Sequence, residues 1–210
     1  MNPSELPVFP LNSPLLPACK MPLQIFEKRY LDMVSQCLRT QTPFVVALLQ
    51  PGAERHEVIT PDLTADGKTI PFYPLGTAAR IVDFEQRDNG LLGITIAGEQ
   101  RMALRDIHQD SNGLWKASAT PRPEQPDTAA EDMEEWRDLL EQLLGFSGLE
   151  AMRAAADLES PEQITNYLIM LLPLPAPVKQ ELIATDQPAE RRAKLANVLA
   201  LLATPASPTP

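Results

Sequence analysis

The sequence has little from which to build a metal or redox centre. Its 210 residues include two cysteines and two histidines. His56 and His108 stand far apart, and Cys19 and Cys37 do not form a C-x-x-C, so no ligand spacing for a metal exists. Apolar runs approaching the roughly 18 residues of a membrane-spanning helix are missing. The opening MNPSELP also lacks the basic-then-apolar pattern of a secretory signal, and a reducing cytoplasm is the expected setting. Basic charge is scarce as well. Eighteen Lys and Arg against 28 Asp and Glu leave a formal charge of −10, which argues against binding nucleic acid through phosphate neutralisation.

Catalytic motifs are equally wanting. A Ser or Cys nucleophile needs a positioned base, yet there is no G-x-S-x-G element and neither histidine has a motif-like neighbour. His108, between Asp106 and Asp110 near a strand end, is expected on the surface. A phosphate loop needs glycines for close backbone approach. Asp62–Thr69 (DLTADGKT) ends in Gly-Lys-Thr but carries Asp where the first glycine belongs, and it reads as an Asp-Gly turn. The carboxylate pairs Glu131-Asp132 and Glu134-Glu135 lie on the polar face of an expected helix, where solvation accounts for them.

What the chain has in quantity is proline, 22 residues, about twice the ordinary share. Pro7, Pro10, Pro14, Pro17 and Pro22 divide the opening into short extended pieces, Leu6–Leu11 and Met21–Phe26. After Phe26 the period changes from 2 to 3.6, and Tyr30, Met33, Val34, Cys37 and Leu38 form one helical stripe. Glu27 suits the positive end of that helix. Cys37, on the stripe, reads as a small buried hydrophobe, while Cys19 lies in the turn between the two extended pieces.

Phe44–Leu49 (FVVALL) follows as a buried strand. Gln50–Pro74 is a long polar excursion, of the kind that is functional or mobile. Leu75–Phe84 and Leu91–Ala97 read as strands joined by a hairpin turn at Asp88-Asn89-Gly90. Gly98 is expected to break the run at a bulge or bend before a further strand, Gln100–Ile107. Asn112-Gly113 turns the chain into Leu114–Ala119, where Trp115 packs on the sheet. The sum is a meander of short strands, most simply a small closed or nearly closed barrel with one helix over its mouth.

Pro121–Thr128 is a linker by composition, and everything beyond it reads as helical. Met133–Leu144 is capped by Asp127 or Thr128, a break falls at Gly145 and Gly148, and Ser160-Pro161-Glu162 starts the next helix. Pro173, Pro175 and Pro177 lead into Val178–Ala184, and a last helix spans about Pro188 to Leu202. This half is acidic: from Gln125 onward 14 acids face 6 bases, a solvated helical surface.

The opening resembles the N-terminal domain of Lon proteases. The matching residues are Phe9-Pro10-Leu11, Pro17, Pro22-Leu23, Ile25-Phe26-Glu27, Arg29-Tyr30 and Met33. The resemblance continues at Gly76, Thr77, Ala79 and Ile81, at Gly98, Arg101 and Leu104, and at Lys179, Gln180, Leu182, Asp186 and Arg191. Arg192 departs from it, standing where Leu is commoner. The resemblance implies an α+β fold, a PUA-like β-pseudobarrel of short, mostly antiparallel strands over residues 1–122. An α-helical bundle subdomain over 123–204 and a disordered tail over 205–210 complete it. Full-length family members carry ATPase and protease modules after this region, and nothing here resembles either.

The function that the resemblance implies is non-catalytic recognition of polypeptide by a substrate-binding domain standing alone, in protein quality control, with no cofactor and no membrane partner. From the residues themselves, Phe72-Tyr73, held between Pro71 and Pro74, offers a rigid apolar grip for an extended peptide. Glu27, Arg29 and Tyr30, at the family-like helix start, are the second candidate group. Two alternatives stay open. PUA-like barrels occur in RNA-modifying proteins, which allows an RNA- or nucleotide-related binder, and an unrecognised small-molecule site would make the protein an enzyme.

Overall fold

The computed structural model describes residues 4–53, 69–127 and 133–203. Six strands and six helices are found among them: β1 (Ser4–Leu11), β2 (Lys20–Ile25), α1 (Lys28–Thr40), β3 (Phe44–Leu49), β4 (Phe72–Gln86), β5 (Leu92–Gln109), β6 (Trp115–Pro121), α2 (Glu134–Leu144), α3 (Glu150–Ala155), α4 (Pro161–Leu171), α5 (Ala176–Ala184) and α6 (Pro188–Ala203). The strand order is β2-β5-β4-β3-β1-β6, and β6 pairs back onto β5. Five strands thus close into a ring, with β2 laid along the first half of β5. Only β1 and β3 run parallel; the other pairs are antiparallel. This is the α+β pseudobarrel expected from the sequence.

Alternation along the strands sorts side chains into two cores. Leu6, Val8, Val45, Ala47, Phe72, Ala78, Met102, Leu104, Trp115 and Ala117 fill the ring. Phe9, Phe44, Val46, Leu75, Ala79, Ile94 and Ile96 point outward, and this face is not solvated. It shares one apolar cluster with α1, through Tyr30, Met33, Val34 and Cys37, and with the helical half, through Leu140, Tyr167, Leu168, Leu182 and Leu195. Leu38 stays at the edge of the α1 stripe, 38% exposed.

Two glycines are required by close approach. A Cβ at Gly76 would meet the Val46 carbonyl, and one at Gly98 the Leu16 carbonyl. Gly98 donates its N–H to the Cys19 carbonyl (2.8 Å) and accepts from Ala18 N–H (3.0 Å), so the proline-rich turn between β1 and β2 is fastened there. The break expected at Gly98 does not end the strand: β5 runs unbroken for 18 residues. The irregularity is absorbed by register shifts against β4 instead.

Two other expectations are corrected. The helix beginning near Met133 is not capped by Asp127; Met133 is the N-cap residue, Asp127 is taken by Arg192 at 2.6 and 2.9 Å, and Thr128 lies outside the described residues. The Pro121–Thr128 stretch is also more than a linker. Arg101, 1% exposed, donates to the Ile183 and Thr185 carbonyls (2.7 and 3.2 Å) and lies 2.8 Å from Glu124 and 3.0 Å from Asp186. Arg191 reaches Glu124 at 2.7 Å, and Arg122 reaches Asp186 at 2.8 Å. Residues 122–127 are thereby strapped between barrel and helices. Burial draws the Arg101 guanidinium down from its usual value, while Glu124 and Asp186 hold it charged.

At Ser160 the sequence signal holds in full: Pro161 opens α4 and the Ser160 hydroxyl accepts the Gln163 N–H at 3.3 Å.

Candidate functional site

The barrel mouth opens into a groove of about 850 Å³. One wall comes from β1 and the barrel rim: Phe9, Pro10, Leu11, Leu49 and Trp115. The other comes from the end of β2 and the start of α1: Leu23, Gln24, Ile25, Phe26, Glu27, Arg29 and Tyr30. Ala53, Thr69, Pro71 and Gln109 complete it. The switch from strand to helix after Ile25 is what exposes the groove's most accessible aromatic. With Glu27 as N-cap in extended geometry, Phe26 belongs to neither element and stands 68% exposed.

Arg29 holds this wall in place. Its guanidinium lies 2.7 Å from the Glu27 carboxylate, donates to the Gly113 carbonyl at 3.0 Å, and sits 4.7 Å over the Tyr30 ring. The first turn of α1 is so tied to the β5–β6 hairpin. Tyr30 in turn stacks on Phe9 with centroids 4.2 Å apart. Burial raises the Tyr30 hydroxyl above its usual value, partly offset by Arg29, so it is a neutral donor at physiological pH. Since Glu27 and Arg29 neutralise each other, the lining carries aromatic and aliphatic surface, amide groups and no net charge.

Three of the five residues singled out from sequence, Glu27, Arg29 and Tyr30, meet at this groove. The other two do not. Phe72 is not in a loop: it begins β4, is fully buried, and packs edge-on against Trp115 at 5.4 Å. The Gln50 amide fixes it there by donating to its carbonyl at 3.1 Å, and Gln50 N–H bonds the Pro71 carbonyl at 2.9 Å. Tyr73 is half-buried on β4 and does not line the groove. The aromatic-between-prolines signal marked the entry of a buried strand. Phe26 and Trp115 are the groove residues that sequence reasoning passed over. The signal for Phe26 was available, as a large apolar side chain at the residue where one period stops and another starts. Most of the Gln50–Pro74 excursion, with His56 and the Gly-Lys-Thr candidate up to Lys68, lies outside the described residues.

The outer edge of β2 is closed to strand pairing. Lys20 N–H donates to the Tyr167 hydroxyl at 2.9 Å, and Pro22, two residues on along the same edge, has no N–H to offer. Cys19 and Cys37 are both free and buried, and burial pushes both thiols up, Cys19 the further. Neither is disposed to react. Among the described residues no group of three or more His, Cys, Asp or Glu side chains is placed to hold a metal, and no helix is long and apolar enough to cross a membrane.

A pseudobarrel with a neutral, aromatic groove at its mouth and a helical subdomain packed on its outer face defines an α+β domain of the PUA-like kind. The match is to a specific one: residues 5–200 fit the family described as the ATP-dependent protease La (LON) substrate-binding domain, and the chain belongs to that family. A solved Lon N-terminal domain protein from Xanthomonas campestris is similar at 28% identity and a TM-score of 0.67, covering 92% of this chain and 98% of that one. The N-terminal domain of the Mycobacterium avium complex Lon protease shares the fold at 16% identity and a TM-score of 0.56, covering 92% and 97%. No curated protein sequence matches the chain.

Proposed function

We propose that this protein is a non-catalytic polypeptide-recognition module, and that the groove at the barrel mouth takes apolar and aromatic side chains from unfolded or extended segments. The observation that carries the reading is the exposed Phe26 beside Leu23, Tyr30 and Trp115 in a groove without net charge. Large exposed aromatics rimmed by polar groups are the usual anchors of such contacts. A neutral lining selects for apolarity over charge pattern, which suits a client defined by unfolding more than by sequence. A place in protein quality control and a cytoplasmic setting belong to the same proposal. The unpaired, buried cysteines are in keeping with a reducing compartment.

Trp115 supplies the test, because it lines the groove. In a Trp136→Phe background, its emission is expected to shift on titration with a reduced and alkylated polypeptide and to stay unchanged with the same protein folded. Phe26→Ser should weaken that binding on the order of ten-fold, the size of one aromatic anchor. Equal affinity in the Phe26→Ser variant, or no binding by either protein, rejects the groove as the recognition site.

A further inference from the structure

β4 is longer than its partner on one side. β3 pairs with it only as far as Ala79, while β5 accompanies it to Gln86. From Ile81 to Gln86 the outer edge of β4 therefore meets no strand among the described residues. Its backbone polarity can be read from two bonds. Arg87 N–H points inward to the Leu91 carbonyl (2.9 Å), so Phe84 and Gln86, of opposite parity to Arg87, point outward. Phe84 N–H is accepted by the carboxylate of its neighbour Asp83 at 2.9 Å, which agrees.

Two further features set what this edge suits. Across the sheet Leu23, Ile94 and Phe84 stand opposite one another, an apolar row that begins at the core and ends on Phe84, which is 62% exposed. One more strand would continue that row over the Phe84 ring. The flanking positions are acidic. Glu85 is shared with Arg87 at 3.2 Å and Arg80 is occupied by Glu99 at 2.6 Å, but Asp83 and Asp88 have no cationic partner among the described residues. Val82, the extra residue at the register shift between Ile81 and Asp83, is 47% exposed beside them.

We propose that the Ile81–Gln86 edge of β4 is a strand-addition site for an extended polypeptide that alternates apolar and basic residues. The added strand places an apolar side chain against Phe84 and Lys or Arg against Asp83 and Glu85, and bonds to the outward backbone groups of Phe84 and Gln86. The contrast with β2 supports the assignment. That edge is sealed by Tyr167 and Pro22, whereas here the Asp83 carboxylate covers the Phe84 N–H, and a basic partner that draws Asp83 into an ion pair frees that N–H for the added strand. This surface is separate from the groove and stands without it.

The probe is a fluorescent peptide alternating Val and Lys, compared with one alternating Val and Glu, in near-physiological salt. Fluorescence anisotropy reads affinity, and amide exchange reads the position of the contact. The basic peptide is expected to bind on the order of ten-fold tighter than the acidic one, as several cross-strand pairs allow, and to slow exchange of the Gln86 amide. Phe84→Ser should weaken it, and Asp83→Lys with Glu85→Lys should reverse the preference. Each change is on exposed residues and leaves the fold intact by circular dichroism. Three results overturn the proposal: equal binding by all variants, which marks only long-range attraction to an acidic protein; no slowing at Gln86; or loss of binding in Phe26→Ser, which places the peptide in the groove and leaves that reading standing.

Discussion

Lys179 sits on α5, 7% exposed, with its ammonium donating to the Met170 carbonyl at 2.8 Å in the last turn of α4. The position suits a cation, since the C-terminal end of a helix carries partial negative charge. No carboxylate pairs with it among the described residues, and burial pulls its pKa from 10.5 down to about 8. The consequence for stability has a definite sign. Below pH 8 both folded and unfolded states hold the proton, and stability does not change. Between pH 8 and 10.5 the unfolded chain keeps a proton that the native state has released, so stability rises with pH. At about 1.4 kcal/mol per unit, the gain between pH 7 and pH 9.5 is about 2 kcal/mol.

The perturbation is Lys179→Met, which keeps the stem's volume and removes the titrating group. Urea unfolding of both proteins across that range isolates the effect. The buried Tyr30, Tyr167 and cysteine groups, all raised by burial and Tyr167 to about 12, lose stability as pH rises, but they are common to both proteins and cancel. The wild-type advantage over Lys179→Met is expected to grow by about 2 kcal/mol from pH 7 to 9.5. A difference that stays flat within about 0.5 kcal/mol would show that the native Lys179 does not release its proton there, and the reasoning fails.

Other substitutions test the frame. Arg101→Met removes the cation that joins Glu124, Asp186 and the two α5-end carbonyls, and should cost about 3 to 5 kcal/mol in denaturant unfolding, as for broken buried pairs; a loss under about 1 kcal/mol would mean that the strap does not hold the halves together. Gly98→Ala forces its methyl against the Leu16 carbonyl, and a loss of about 2 kcal/mol or more is expected, read as a lowered melting temperature. Ser160→Ala strips the α4 cap and should cost about 1 kcal/mol; an unchanged midpoint would show the bond to Gln163 to be idle.

Much of the fold was legible because its signals are local. The period change after Phe26, the Asp88–Gly90 turn and the Ser160-Pro161 start each depend on residues a few positions apart. The site was legible in part. Glu27, Arg29 and Tyr30 were singled out through the family resemblance, whose motif falls within a few positions at the start of α1. Phe72 was misplaced because its burial depends on Trp115, 43 positions later, and no short window contains both.

Sequence alone determined most of the strands and helices, though not the continuity of β5 through Gly98, the start of β4 at Phe72 or the short helix α3, and it carried the acidic balance and the resemblance that family membership bears out. Tertiary structure decided what each charge and aromatic does. Arg192, a departure from the family pattern where Leu is commoner, is buried and satisfied by Asp127, 65 positions away. Arg101 crosses 82 positions to the Ile183 carbonyl. Phe26 came to line the groove only when β1, β2, β5 and β6 converged around it. The reason is physical: propensity and capping act over a turn, whereas desolvation and ion pairing act through space, between residues the closing barrel brings together.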